Sequence, residues 1–193
     1  MPNHKTKPAR ARLLEAAATL FYNDGITATG IDTITAKAGV AKMSLYNNFD
    51  SKADLVAAFI EARHAEWLAL YDLRVQHADN PRDRVLAIFD AYADHANCAY
   101  ERGFRGCGLL NAAAELPAGD IGRDAVRAHK EEVEQLLLQH LSALSPGNTE
   151  AVGEMASHLS FLLEGSMSRA GLEGSDARVQ QARRIAVSLL EAI

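Results

Sequence analysis

A chain of 193 residues that is 48% hydrophobic and 23% charged is long enough to bury a core, and it lacks the charge excess that keeps a chain disordered. Its two cysteines are too few for a secreted disulfide framework, and no signal-peptide core or membrane-spanning apolar run of about 20 residues appears, so a soluble cytoplasmic protein without membrane contacts is expected. The net charge of -5 hides a polarity: up to Lys52, seven basic residues stand against four acidic ones, a balance of +3, whereas the remainder carries 13 against 21, or -8. A basic end suited to a polyanion and an acidic body follow.

Helix formers dominate, and Val, Ile, Tyr and Phe never gather into alternating runs, so an all-α chain is expected. Pro8 suits a first helical turn, and Leu13, Ala16, Ala17, Leu20 and Phe21 recur at helical spacing until Asn23-Asp24-Gly25 closes the segment. Thr29-Gly30-Ile31-Asp32 reads as a capping box that opens a short second helix to about Ala38. Gly39 supplies the left-handed residue of a tight turn, and 41–49 leaves room for a third helix of about two turns. Ser51-Lys52-Ala53-Asp54 is a second capping box, opening a long fourth helix with Leu55, Val56, Phe59, Ile60, Trp67, Leu70 and Tyr71 on its apolar face.

Asn80-Pro81 breaks that helix. A fifth is expected over 82–102, with Val85, Ile88, Phe89, Tyr92 and Ala96 inward, followed by a bend at Gly103, Gly106 and Gly108. A short helix over 109–115, a long one from about 122 to 144, and two closing helices over roughly 149–172 and 176–192 complete the chain. The organisation predicted is an N-terminal three-helix unit over 1–50 and a larger helical domain over 51–193.

Two short helices joined by a glycine turn and held by a first helix make a helix-turn-helix, whose second helix has the size of the DNA major groove. The segments Phe21-Tyr22-Asn23-Asp24-Gly25, Thr29-Gly30-Ile31-Asp32-Thr33-Ile34, Ala38-Gly39-Val40-Ala41-Lys42, Leu45-Tyr46-Asn47-Asn48-Phe49 and Ser51-Lys52 resemble, in order and spacing, the N-terminal signature of the TetR family of repressors. The resemblance covers about Arg10 to Phe59 and implies a ligand-responsive regulator, not an enzyme. Thr29, Gly30 and the amides of the helix that follows suit a backbone phosphate. Lys42, Ser44 and Asn47 are expected to read base edges, and by the resemblance Tyr46 and Lys52 clamp phosphates. Met43 departs from the family, which commonly has a small residue such as glycine there; it either touches a thymine methyl or covers the groove edge. The basic arm from Lys5 to Arg12 adds contacts. The plainer alternative makes Tyr46 and Phe49 core aromatics, and Lys42 and Lys52 a solvated face.

Gly153, Ala156, Ser157, Ser160, Ser168 and Gly171 trace a stripe of small residues, and Val179, Ala182, Ala186, Leu189 and Leu190 an apolar strip. Since members of the family form homodimers through a four-helix interface, both stripes are expected to meet a second copy, and two-fold symmetry then implies a palindromic DNA operator. The resemblance also implies a small-molecule effector site in the body, for which Trp67, Tyr71, Phe89, Tyr92, His95, Phe104, Asn111, Met155, His158 and Phe161 supply apolar walls and polar groups. Nothing resembles a Walker loop, a GxSxG elbow, a Rossmann glycine pattern or HExxH. His95, Cys98 and Cys107 lack the paired spacing of a metal site, so no metal or cofactor is expected.

Overall fold

The structure, a computed structural model, describes residues 7–191. Lys5 and the expected end of the last helix at 192 lie outside the described residues. Among these the chain forms helices only: α1 Ala9–Asp24, α2 Ile31–Ala38, α3 Lys42–Tyr46, α4 Lys52–Val75, α5 Pro81–Ala96, α6 Gly108–Glu115, α7 Ile121–Leu144, α8 Thr149–Glu173 and α9 Ala177–Leu190. The all-α expectation holds.

Three local expectations need correction. Thr29 does not cap α2: Gly30 stands at that position without a side-chain bond, and the Thr29 hydroxyl donates to the Gly25 carbonyl at 2.6 Å instead. The third helix has five residues rather than two full turns, because the Asn48 side-chain amide donates to Ser44 O at 2.7 Å and ends it locally. The fifth stops at Ala96, where the Asn97 amide closes onto the Ala93 and Asp94 carbonyls, both at 3.1 Å. The second capping box does form: Ser51 Oγ accepts from Asp54 N at 3.1 Å, while the Asp54 carboxylate accepts from Asp50 N, one residue earlier than a standard box.

The chain divides into two units. The first comprises the chain through Arg63 together with 100–102 and 108–126; the second comprises 64–99, 103–107 and the chain from Arg127. Helices α4 and α7 therefore each contribute residues to both units.

In the first unit Leu13, Ala17, Phe21, Ile34, Leu45, Phe49, Leu55 and Phe59 are buried together, each large side chain stabilising by about 1.5–3 kcal/mol. Phe21 meets Phe59 edge to face, with ring centroids 5.5 Å apart. Residues 100–102 join this unit through side chains: Tyr100 stacks on Tyr22 at 4.4 Å, Glu101 pairs with Lys37 at 2.9 Å, and Arg102 pairs with Asp24.

In the second unit α5 is buried on nearly every side, with Val85, Ile88, Phe89, Ala91 and Tyr92 almost inaccessible, and α8 and α9 pack on it and on each other. A bidentate pair from Arg183 to Asp90, at 2.7 and 3.1 Å, ties α9 to α5.

Candidate nucleic-acid interface

The helix-turn-helix is built on α1. Its buried Leu13, Ala16, Ala17, Leu20 and Phe21 form the floor, and Ile34 and Ala38 of α2 and Leu45 of α3 are buried against it. The turn is Gly39, left-handed at φ 62°, whose amide donates to Ala36 O while Val40 N donates to Thr35 O. A Cβ at Gly39 would lie 2.8 Å from Arg12 Nη2, which donates to the Gly39 carbonyl at 2.7 Å. Glycine thus lets α1 pin the turn.

With Leu45 and Phe49 inward, the opposite face of α3 is left to solvent. Met43 is 69% and Tyr46 48% exposed, Lys42 and Asn47 are exposed, and Ser44 is half-buried. Of the two aromatics offered as core, only Phe49 is. Lys42 Nζ lies 2.8 Å from Asp32 Oδ1, and the hydrogen bond and charge of that carboxylate hold the amine above its ordinary value. Gly30 is exposed at the start of α2.

Other candidate DNA contacts are taken up by the fold. Thr29 is buried, so its hydroxyl faces the protein. Lys52 Nζ donates to Ile26 O at 2.6 Å. Within the arm, Arg10 lies over the Phe49 ring at 5.0 Å, Arg12 holds Gly39, and Lys7 pairs with Glu15.

Residues 13–59 match the model of bacterial regulatory proteins, tetR family. Residues 13–59 thus carry the N-terminal module of this family. The HTH-type transcriptional repressor KstR2 of Mycobacterium tuberculosis is 36% identical over 83 residues, 42% of this chain and 41% of that protein. The HTH-type transcriptional regulator TtgR of Pseudomonas putida is 35% identical over 60 residues, 31% of this chain and 29% of its own. The matched stretch thus spans about two fifths or less of the length of these relatives. A TetR-family transcriptional regulator from Streptomyces coelicolor superposes with a TM-score of 0.85 at 29% identity, covering 96% of this chain and 95% of that one.

The tetR-family likeness directs attention to the second unit. Six of the expected effector residues, Trp67, Tyr71, Phe89, Tyr92, His95 and Phe104, are buried there. Trp67 stacks on Tyr71 at 5.7 Å and leans on Tyr92 at 5.2 Å. The remaining four are placed elsewhere. Asn111 belongs to α6 in the first unit. Met155 and His158 line a surface pocket with Ser145 and Asn148 at the start of α8. Phe161 is 71% exposed, because it lies on the outward face of α8.

The sequence reading missed the polar partners that α7 brings to the aromatic group. His129 Nδ1 lies 2.8 Å from His64 Nδ1, His140 Nε2 lies 2.6 Å from Tyr71 OH, and Lys130 Nζ lies 2.8 Å from Glu164 Oε1, 3.4 Å from Tyr92 OH and 3.6 Å from Cys107 Sγ. The buried indole N–H of Trp67 has no acceptor among the described residues. A signal was present in the spacing Val126, His129, Lys130, Val133, Leu137, His140, Leu141, which marks one helix face.

Part of the expected dimer stripe is interior to the subunit. Ala156, Val179, Ala182 and Ala186 are buried within it, and Ser157 Oγ donates to Glu134 Oε1 at 2.7 Å. Gly153, Ser160 and Leu189 are half-buried, and Ser168 is exposed. The large apolar residues that α8 and α9 leave exposed are Phe161, Leu172 and Ile185, and Phe161 and Ile185 line a shallow groove of about 340 Å³. No group of three or more His, Cys, Asp or Glu side chains among the described residues is placed to hold a metal ion, and no described helix is long and apolar enough to cross a membrane.

Proposed function

We propose that the chain is a transcriptional regulator, acting as a repressor in the cytoplasm, that binds a palindromic DNA operator as a homodimer and is released by a small-molecule effector. The observation that carries this reading is the face of α3. A short helix with Leu45 sealed inside presents Lys42, Met43, Tyr46 and Asn47 outward, which is the arrangement a major-groove reader needs. Asn47 donates to and accepts from a base edge, Lys42 reaches another, Met43 supplies apolar contact, Tyr46 meets a phosphate, and Gly30 with the first amides of α2 takes a second phosphate. Lys52, held on Ile26 O, serves the module from within.

Phe161 and Ile185 supply the apolar contact for a second copy across a two-fold axis, which sets two α3 helices about 34–36 Å apart or a multiple of it. The aromatic group around Trp67 supports an effector site in the second unit, since a buried indole N–H without an acceptor is an open offer to a ligand oxygen. An effector that prefers a dimer with a different spacing lowers operator affinity.

The test is selection of duplexes from a random library by the purified chain. A palindrome should emerge, with an affinity that falls steeply with salt. Asn47→Ala should relax base choice by about 1–3 kcal/mol at its contacted position, while Tyr46→Phe weakens all sequences alike. Recovery of no preferred sequence, or an affinity indifferent to salt, would overturn the reading.

A further inference from the structure

Glu115 ends α6, almost ninety residues beyond the loop that feeds the helix-turn-helix, and yet its carboxylate binds that loop. Oε1 accepts from Ile26 N at 2.9 Å, and Oε2 accepts from Thr27 N at 2.7 Å. Two successive amides converging on one anion form a small backbone nest. From α4, Lys52 Nζ donates to Ile26 O at 2.6 Å, and the Thr29 hydroxyl closes the loop onto Gly25 O at 2.6 Å. Residues of α6 and α4 therefore take both the donors and the acceptor of a loop that belongs to neither.

Gly25 is what makes the approach possible. Its φ of 91° disfavours any residue with a side chain, and a Cβ there would come within 2.8 Å of Glu115 Oε1. The other end of the clasp is held as well. Arg123 Nη1 donates to Ala113 O at 2.7 Å, just before Glu115, and Gly108 at the opposite end of α6 lies against Tyr22 of α1. Burial alone would raise the Glu115 carboxyl, but the Thr27 and Ile26 amides and the charge of Lys52 outweigh it and hold the group below its ordinary value. It is therefore ionised at neutral pH. An ordinary surface ion pair contributes little. Backbone amides donating to a full charge contribute more, and here they fix residues that lead directly into α2.

We infer that Glu115 is a positioning residue for DNA binding, which sets the α1–α2 loop and through it the start of α2, so that operator affinity depends on where the end of α6 stands. The inference rests on the regulator reading above for its DNA half; the clasp itself does not.

The experiment uses the full chain as wild type, Glu115→Ala and Glu115→Gln, with the duplex selected by wild type as probe. Three quantities are read: amide exchange at Ile26 and Thr27, duplex affinity at a temperature where every variant is fully folded, and the unfolding midpoint. In Glu115→Ala the two loop amides should exchange at least about ten-fold faster while Ala17 and Ile34 stay protected, and duplex affinity should fall about ten-fold. Glu115→Gln, whose amide oxygen still accepts one bond, should fall between. A purely structural role moves the unfolding midpoint but leaves the affinity of the folded protein alone. Duplex binding within two-fold of wild type, or unchanged exchange at Ile26 and Thr27, overturns the inference. If Glu115→Ala does not fold, Glu115→Gln decides on the same two readouts. Wild type that binds no duplex ends the regulator reading and the DNA half together, a result distinct from one in which wild type and variant bind equally.

Discussion

His64 and His129 meet Nδ1 to Nδ1 at 2.8 Å, beside the Trp67 ring. His64 Nε2 also lies 3.4 Å from Glu132 Oε2, so one arrangement satisfies both contacts: His64 carries its hydrogen on Nε2 towards Glu132, and His129 donates Nδ1–H to the bare Nδ1 of His64. The hydrogen on His129 Nδ1 then lies between the two rings.

A pH dependence follows from this pair. Burial, with the charges of Lys130, His64 and His95, pushes His129 down to about 3. Its unfolded value is about 6.5, so on acidification the unfolded chain takes up the proton first. The stability held by neutral His129 is complete above that value and is lost as the pH falls towards 3. At pH 5 the loss is about 1–2 kcal/mol. His140, lowered by burial and by Arg84, adds in the same direction. Urea unfolding between pH 7.5 and 5 should show a steeper decline for wild type than for His129→Gln. Parallel curves would refute the assignment.

The Lys130–Glu164 pair gives a second prediction. Burial opposes the charge on Lys130, yet its neighbours hold the amine above its ordinary value, and among them Glu164 is the anion, since burial keeps the Tyr92 phenol protonated. Removing one member of such a pair strands the other. Glu164→Gln should cost about 3 kcal/mol or more, whereas Lys130→Met combined with Glu164→Leu should recover most of it. Additive losses in a double-mutant cycle would show that the two residues do not act as a pair.

How much of this was legible in the sequence depended on range. The helix-turn-helix was readable because its signals are local: Gly39 marks the turn, Leu45 of α3 and Phe49 just beyond it both turn inward, and Ser51 announces α4. Thr29 misled for a local reason too, since a threonine before a helix serves as a cap or turns back onto its own loop, and only the fold decides. The clasp of Glu115 on Ile26 and Thr27 left no trace, because it joins residues nearly ninety apart. The polar lining of the second unit was hidden by composition. His129, Lys130 and His140 lie in a helix full of charged residues that reads as solvated, although they share its buried face. The stripe of small residues on α8 and α9 was a true pattern with two possible partners, and for Ala156, Ala182 and Ala186 the partner is the subunit itself.

Two glycines of α8 should respond oppositely to alanine. At Gly171 a Cβ would lie 2.6 Å from Gly106 Cα and N, so backbone must move, and Gly171→Ala should cost about 1–3 kcal/mol. At Gly153 nothing lies within 4 Å of that position, so Gly153→Ala should stabilise by about 0.5–1 kcal/mol through helix propensity alone. Thermal unfolding at one fixed protein concentration compares them, and a shift of the same sign in both would contradict the close approach of Gly106 to Gly171.

Phe161 and Ile185 bear on assembly. Among large apolar side chains, Phe161 at 71% and Ile185 at 43% are unusually exposed, and they line one groove between α8 and α9. Exposing them gains the subunit nothing, whereas a two-fold axis through the groove sets each against its counterpart. Neither is part of the subunit core, so charging them should leave the fold intact. Phe161→Asp together with Ile185→Asp introduces like charges facing each other without partners, which a self-complementary interface tolerates poorly. Sedimentation should give a dimer for wild type and a monomer for the double variant at micromolar concentration, with unchanged helical content by circular dichroism. DNA binding should then lose its dependence on two half-sites. A double variant that still sediments as a dimer would place the interface on another face, and the spacing argument for a palindromic operator would have to be rebuilt from there.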